Sequence, residues 1–228
     1  MIIFDLDGTL ADTFTDIAHA ANHALAACGW PTRDVAFVRS KVGHGLKRLV
    51  VDCTGADPDD PRLEEAVQAL KNYYAKHLVD HTHLYPHVEE TLRELRRRGA
   101  KLAILSNKSH ELTKPACDAL GLSALVDEIV GESERYPRKP APEAVRHLIK
   151  SFGATPATTL VVGDGDADFG AARAAGCDFV GVSWGLNGEH KLREQGVEVV
   201  IHSMDDLCRI REEEKFTTES RRSQREES

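Results

Sequence analysis

The chain has 228 residues, of which 41% are hydrophobic and 29% are charged, as is typical of one large globular domain or a domain with a smaller insert. Its formal net charge of −8 argues against a general nucleic-acid binder, which needs a broad basic surface. No apolar run approaches the roughly 20 residues that cross a bilayer, and no basic leader precedes the first apolar residues. We therefore predict no membrane segment and no signal peptide.

The spacing of the cysteines indicates the redox state of the compartment in which the protein resides. Five of them are scattered along the chain without close pairing. This pattern predicts neither a disulfide framework nor a zinc site, and it favours a reduced, cytoplasmic protein. The sequence carries no signature of an oligomeric state.

The N-terminal segment combines a buried strand with two acids. Residues 2–4 (Ile-Ile-Phe) form a continuous apolar run, which predicts a strand buried on both faces. Asp5 and Asp7 follow it, and Gly8 then breaks the run. Open parallel sheets bind ligands at the edge where their strands end. Two carboxylates there are costly to bury unless a cation or a reaction uses them, so we place the functional site at this edge.

Residues 13–83 are predicted to be helical throughout. Apolar residues recur at helical spacing in residues 17–28 and again in residues 63–78. This block directly follows the first strand, so it is an insert beside the ligand-binding edge, placed to act as a lid. We call it the cap.

From residue 86 onward, apolar strands and amphipathic helices alternate, which predicts an α/β fold with a doubly wound parallel sheet. The predicted strands are residues 102–105, 128–130, 160–162, 179–182 and 197–201, and the predicted helices include residues 142–152 and 169–175. We therefore predict a Rossmann-like catalytic core of residues 1–12 and 84–210, with an all-helical cap of residues 13–83. Residues 211–228 are charged and lack a core-forming face, which predicts a disordered tail.

Polar side chains follow three further strand ends or loops of the predicted sheet. They are Ser106, Asn107 and Lys108 after strand 102–105, Lys139 in RKPAPE, and Asp164, Asp166 and Asp168 in GDGDAD after strand 160–162. Parallel strands end at one edge, so these groups can converge with Asp5 and Asp7 although they are far apart in sequence.

The segments FDLDGTLAD, LSNK, RKPAPE and VVGDGDADFGAARAAG, in this order, resemble the four motifs of the haloacid dehalogenase superfamily of phosphatases. The resemblance spans residues 2–176, and the cap stands where the helical-cap branch of that family has its insert. It implies a Mg²⁺-dependent enzyme that acts on a small phosphorylated metabolite.

The resemblance also implies roles for individual acids. Asp5 would be the nucleophile that forms an aspartyl-phosphate, and Asp7 would be the general acid and base, a role that requires burial or neighbours to raise its pKa. Asp5, Asp164 and the backbone carbonyl of Asp7 would bind Mg²⁺, and Asp168 would orient a metal ligand or a metal-bound water. Asp166 falls between them and is interpreted as a solvated residue at a helix start.

Ser106, Asn107 and Lys139 would hold the phosphoryl oxygens by hydrogen bonds and charge. The cap segment KVGHGLKRLV is similar to cap segments of phosphoglycolate phosphatases, which makes 2-phosphoglycolate the first candidate substrate. Gly43, Gly45, Lys47 and Arg48 would then contact the substrate's carboxylate near a helix start. An equal alternative is that the glycines shape an interhelix turn and the two cations are solvated.

Three other functions stay open. A β-phosphoglucomutase would return the phosphoryl group to a sugar, although the SNK motif argues weakly against it. A phosphonate hydrolase would need a Schiff-base lysine in the cap, either Lys41 or Lys47. A non-enzymatic phospho-ligand-binding protein would not need Asp7, and the intact acids argue against it.

Overall fold

The computed structural model describes residues 1–209, so the predicted tail of residues 211–228 lies outside the described residues. The strands are β1 (Ile2–Phe4), β2 (Ala11–Asp12), β3 (His83–Leu84), β4 (Leu102–Ser109), β5 (Glu128–Glu132), β6 (Leu160–Gly163), β7 (Asp178–Val182) and β8 (Val200–Ile201). The helices are α1 (Phe14–Ala27), α2 (Val35–Arg39), α3 (Leu46–Thr54), α4 (Arg62–Tyr74), α5 (Val88–Arg97), α6 (His110–Ala119), α7 (Glu143–Ser151), α8 (Asp166–Ala175) and α9 (Gly188–Glu194).

Six of the strands form one parallel sheet in the order β5-β4-β1-β6-β7-β8. The central strand β1 pairs with β4 on one side and β6 on the other, with Ile3 opposite Ala103 and Val161. Phe4 faces one apolar cluster and Ile3 faces another on the opposite side of the sheet. Burial on both faces explains the continuous apolar run, and the predicted α/β fold class is confirmed.

Helices α1 to α4 pack around an apolar cluster of their own, in which Leu25, Leu49, Leu70 and Tyr74 are buried. Each fully buried side chain of this size contributes about 1.5–3 kcal/mol to stability. Strand β2 precedes these four helices and β3 follows them, and the two strands pair in an antiparallel ribbon that links the cap to the core. The boundaries at residues 12 and 84 fall in this ribbon and stay a prediction.

Several elements differ from the sequence-based expectation. Residues 13–83 are not helical throughout, because the stretches 28–34, 40–45 and 55–61 separate four helices and the stretch 75–82 joins α4 to β3. Strand β4 continues through polar residues to Ser109, and α9 was not predicted at all because its sequence is almost entirely polar. Within residues 1–209, we find no helix with the length and apolar character needed to cross a membrane.

Candidate active site

A cavity of about 680 Å³ lies between the end of the parallel sheet and the cap helices. Its lining includes most of the residues predicted from the sequence, namely Asp5, Asp7, Gly43, Gly45, Arg48, Ser106, Asn107, Lys139, Asp164 and Asp168. They come from the ends of β1, β4 and β6, from helices α3 and α8, and from the loops before α3 and α7, so the sheet edge and the cap bring them together.

Lys139 is the central cation of this cavity. Its Nζ atom donates to Asp5 Oδ1, to Asp168 Oδ1 and to the carbonyl oxygen of Leu105, each at 2.6 Å. Burial lowers the pKa of Lys139, but the charges of Asp168 and Asp5 outweigh it, so its pKa lies above the ordinary value. The ammonium therefore stays charged and links the two acids.

The carboxylates of Asp5, Asp164 and Asp168 form a compact buried cluster. One oxygen from each lies within 4.8 Å of the others. Burial, reinforced by the charges of Asp168 and Asp7 and opposed by Lys139, raises the pKa of Asp5 to about 7. Burial and the charges of Asp5 and Asp168 also raise the pKa of Asp164 well above its usual value. Such repulsion is relieved by a cation, and an all-oxygen donor set suits a hard ion such as Mg²⁺.

Two glycines make room for the Asp164 carboxylate. A Cβ atom added at Gly8 or at Gly185 would overlap the side chain of Asp164. The Asp164 carboxylate accepts a hydrogen bond at 2.6 Å from the backbone N–H of Leu186, in the loop that contains Gly185. The backbone therefore packs closely around the Asp164 carboxylate and fixes its orientation, as is expected of a metal ligand.

The charge balance of the lining also favours a cation. Among the described residues that line the cavity, six are acids and five are lysine or arginine: Asp5, Asp7, Asp52, Asp164, Asp166 and Asp168 against Lys41, Arg48, Lys108, Lys139 and Lys191. The formal balance is therefore negative by one charge, and a divalent ion would make it positive by one. With every acid ionised, a bound divalent ion therefore makes the formal charge of the lining more favourable for a phosphate dianion.

Asp7 is held by three donors. Lys108 Nζ and Thr13 Oγ1 donate to Asp7 Oδ1 at 2.6 and 2.7 Å, and Ser106 Oγ donates to Oδ2 at 3.2 Å. Burial raises the pKa of Asp7, but Lys108 and these hydrogen bonds together bring it below the ordinary value. This direction differs from the raised pKa that the sequence analysis expected of a general acid.

Lys108 is a site residue whose role the sequence does not predict. It is buried, and the Asp7 charge raises its pKa against the opposing effect of burial. Its ammonium also lies 5.0 Å from the centre of the Tyr74 ring, which belongs to cap helix α4. The sequence signal for Lys108 is its position directly after Ser106 and Asn107, two candidate phosphate-binding residues at the end of a predicted strand.

Asn107 joins three segments through its amide. Its Nδ2 atom donates to the carbonyl oxygens of Gly43 and Lys139 at 2.9 and 3.0 Å, and its Oδ1 atom accepts from the Lys139 backbone N–H at 2.7 Å. Both amide protons are therefore used to connect the cap turn to the lysine loop. The predicted phosphate contact of Asn107 stays a prediction.

The glycines of the cap turn have geometric reasons to be glycine. Gly43 and Gly45 have φ angles of 118° and 84°, a region that disfavours residues with a Cβ atom. A Cβ atom at Gly45 would also overlap the guanidinium group of Arg138. This geometry supports a turn-shaping role, and both residues still line the cavity, so their backbone can approach a ligand.

The two predicted cations of the cap lie in different places. Arg48 lines the active-site cavity, where its Nε atom donates to Asp52 at 3.0 Å. Lys47 lines a separate, smaller cavity beside Glu132 and Arg138. The substrate contact predicted for Lys47 therefore has no support from the geometry.

The two acids in the first turn of α8 have different surroundings, and the predicted role of Asp168 beside the metal stays a prediction. Asp168 is buried, and its Oδ2 atom accepts from the Gly165 N–H at 3.2 Å while Oδ1 accepts from Lys139. Asp166 is exposed at the first residue of α8, as an acid at a helix start is expected to be.

Comparisons with known proteins agree with this architecture. Residues 2–182 match the model of the haloacid dehalogenase-like hydrolase family. A phosphoglycolate phosphatase of Chromobacterium violaceum is 35% identical over 210 residues, which cover 90% of this chain and 93% of that protein. A phosphoglycolate phosphatase of Haemophilus influenzae is 32% identical over 92% of this chain and 97% of that protein.

A solved structure is also similar. The crystal structure of a predicted phosphoglycolate phosphatase from Haemophilus somnus has a TM-score of 0.86 and 30% identity, covering 92% of this chain and 96% of that one. The family match spans most of the chain, and the relatives match it over nearly its full length. The chain therefore belongs to the haloacid dehalogenase-like hydrolase family, within which it is similar to phosphoglycolate phosphatases.

Proposed function

We propose that this hydrolase is a Mg²⁺-dependent phosphatase for a small phosphorylated carboxylic acid, with 2-phosphoglycolate as the first candidate, and that it works through an aspartyl-phosphate on Asp5. One observation carries the proposal. The buried Asp5 carboxylate is held by Lys139 and clusters with Asp164 at the base of a cavity that the cap covers. The names of the similar proteins support the substrate class.

Asp5, Asp164 and the backbone carbonyl of Asp7 are the proposed ligands of the metal ion. When bound, Mg²⁺ supplies positive charge that offsets the repulsion between the carboxylates and the phosphate dianion. Asp168 holds Lys139 and caps α8, so we assign it the task of positioning this cluster.

In the first step, a carboxylate oxygen of Asp5 attacks phosphorus, and the bond from phosphorus to the substrate oxygen breaks. Asp7 gives its proton to that leaving oxygen, which departs as an alcohol. Formation of this acyl phosphate removes the negative charge of the Asp5 carboxylate. One N–H group of Lys139, which donates to Asp5 in the free enzyme, then becomes available to a phosphoryl oxygen, beside the Ser106 hydroxyl.

In the second step, Asp7 accepts a proton from water as the water oxygen attacks phosphorus. The bond from phosphorus to Asp5 breaks, which restores the carboxylate and releases inorganic phosphate. The lowered pKa of Asp7 keeps its carboxylate ionised in the free enzyme, so that it is able to accept a proton. For the first step Asp7 needs a proton, and the nearby negative charge of a bound phosphate dianion raises the pKa of a carboxyl group in that direction.

The cavity wall supplied by the cap carries cations for the acid end of the substrate. Arg48 and Lys41 line it, together with the turn around Gly43. We propose that these groups, and not Lys47, contact the substrate carboxylate. We also propose the cytoplasm as the location, because its reducing conditions suit buried thiols such as Cys53 and Cys117.

A substrate panel tests the proposed function. Purified protein is assayed for phosphate release with Mg²⁺ from phosphorylated two- and three-carbon acids, sugar phosphates, nucleotides and a phosphonate. We expect the highest kcat/KM for a small phosphorylated acid, complete loss with chelator, and loss in the Asp5→Asn variant. Equal turnover by the native protein and Asp5→Asn would refute a phosphatase of this kind, and sugar-phosphate interconversion without phosphate release would establish a mutase.

A further inference from the structure

A second group of metal-ligating side chains lies outside the catalytic cavity. Asp16 and His19 are three residues apart on α1 and share one face of that helix. His81 lies in the segment that returns from the cap to the core, just before β3. One ligand atom from each of the three lies within 4.8 Å of the other two. The His19 and His81 rings meet edge to face, with their centroids 5.0 Å apart.

Asp16 provides a fixed base for this group. It is 1% exposed, and its Oδ2 atom accepts from the Thr82 N–H at 2.8 Å and the Thr82 hydroxyl at 2.7 Å. The His81 N–H donates to both carboxylate oxygens, at 2.9 Å to Oδ2 and 3.1 Å to Oδ1. Oδ1 thus accepts one hydrogen bond and retains a lone pair. These hydrogen bonds fix the Asp16 carboxylate, whereas His19 and His81 are exposed.

The donor set differs in kind from that of the catalytic cluster. Two imidazoles and one carboxylate suit borderline divalent ions such as Zn²⁺, whereas Mg²⁺ prefers a set made of oxygen alone. The sequence predicts no zinc site because its cysteines lack close pairing, but that pattern does not report on a site built from histidines. The sequence signal is the pair Asp16 and His19 at i, i+3, but its third member is more than 60 residues away.

We propose that Asp16, His19 and His81 form a second metal site, which binds a divalent transition-metal ion and leaves the remaining coordination position to water. The ion would bridge the first turns of α1 to the segment that leads into β3. These are the two places where the chain passes between cap and core. An ion that binds the folded protein alone raises the temperature of unfolding, so occupancy of this site stabilises the junction.

Zinc titration by calorimetry tests the proposal, with full-length protein first freed of metal by a chelator and then kept in excess Mg²⁺ to fill the catalytic cluster. We expect one zinc ion per chain and a higher unfolding temperature. His19→Gln and His81→Gln should each weaken zinc binding at least about tenfold. The control is His190→Gln, since His190 is an exposed histidine whose carboxylate neighbour, Glu194, lies 3.6 Å away. It should bind zinc as the native protein does.

Each contrary outcome overturns the proposal. These are no saturable zinc binding up to about 1 mM, binding that is the same in the native protein and both histidine variants, or binding that Asp164→Asn abolishes. The last result would place the zinc in the catalytic cluster. His19 and His81 are exposed, so circular dichroism of their variants should match the native spectrum and exclude misfolding as the cause of a loss.

Discussion

Removal of the Lys139 ammonium should show how strongly the buried acids depend on it. Each of its contacts with Asp5 and Asp168 is 2.6 Å long, and all three side chains are buried. At that distance one ion pair is worth about 6 kcal/mol for an effective dielectric constant near 20, before the cost of desolvation. Measured losses when one partner of a buried pair is removed are about 3–5 kcal/mol. We expect Lys139→Met to lower the free energy of unfolding by this amount near pH 7.5.

Urea unfolding followed by circular dichroism measures the effect. The matched control is Lys101→Met, because Lys101 pairs with Asp127 at 3.2 Å while its side chain is 58% exposed. An exposed pair contributes about 0.2–1 kcal/mol, so this control should change little. The loss in Lys139→Met should shrink with added Mg²⁺, which supplies the missing positive charge.

The loss should also shrink as the pH falls. Burial raises the pKa of Asp5 to about 7 although Lys139 lowers it, so removal of Lys139 should raise that pKa further. A carboxyl group with a raised folded-state pKa favours the folded protein more at low pH, where it is protonated and needs no partner. A loss no greater than that of Lys101→Met, unchanged by Mg²⁺ and pH, would refute the account of Lys139 as the cation that balances these acids.

Three further changes have defined outcomes. Asp7→Asn should reduce kcat about 10²- to 10⁴-fold for an alkyl phosphate. The loss in the phosphorylation step should be smaller with p-nitrophenyl phosphate, whose leaving group needs no proton. An equal loss in single-turnover assays with both substrates would contradict the acid role. Gly185→Ala should weaken Mg²⁺ binding at least about tenfold, because the new Cβ atom overlaps Asp164. The control Gly165→Ala should not weaken it, because the nearest atom to its new Cβ atom is 3.6 Å away. Equal Mg²⁺ affinities of the two variants in calorimetry would argue against Asp164 as a ligand. Mg²⁺ affinity should rise with pH up to about 7, where Asp5 loses its proton, and a flat affinity from pH 5 to pH 8 would contradict competition between protons and metal.

The convergence of the site could be predicted because parallel strands end at one edge. Residues 2–4 and 160–162 are continuous apolar runs, so the strands were found and with them the positions of Asp5 and Asp164. An apolar run that ends beside acids and a glycine is a local pattern, which a single sequence displays. The partner of Asp5, Lys139, came from the resemblance to a known motif, since its loop has no periodic signal.

The environment of Asp7 could not be predicted in the same way. Strand β4 continues to Ser109 with a shift in register after Ser106, and this path turns Lys108 toward Asp7. No apolar alternation marks that extension, so the sequence placed the strand end at residue 105. The contact of Asn107 with the Gly43 carbonyl joins residues 64 positions apart, and it depends on how the cap packs against the core.

Transfer of the phosphoryl group to Asp5 is the step on which the proposed mechanism depends. Rapid acid quench of the enzyme with a phosphorylated substrate and Mg²⁺, followed by mass spectrometry of the N-terminal peptide, measures this directly. We expect one phosphoryl group on Asp5 that hydroxylamine removes, more of it in Asp7→Asn with p-nitrophenyl phosphate, and none in Asp5→Asn. Turnover without a phosphorylated peptide at any quench time, or a phosphoryl group on Asp164 instead, would contradict it.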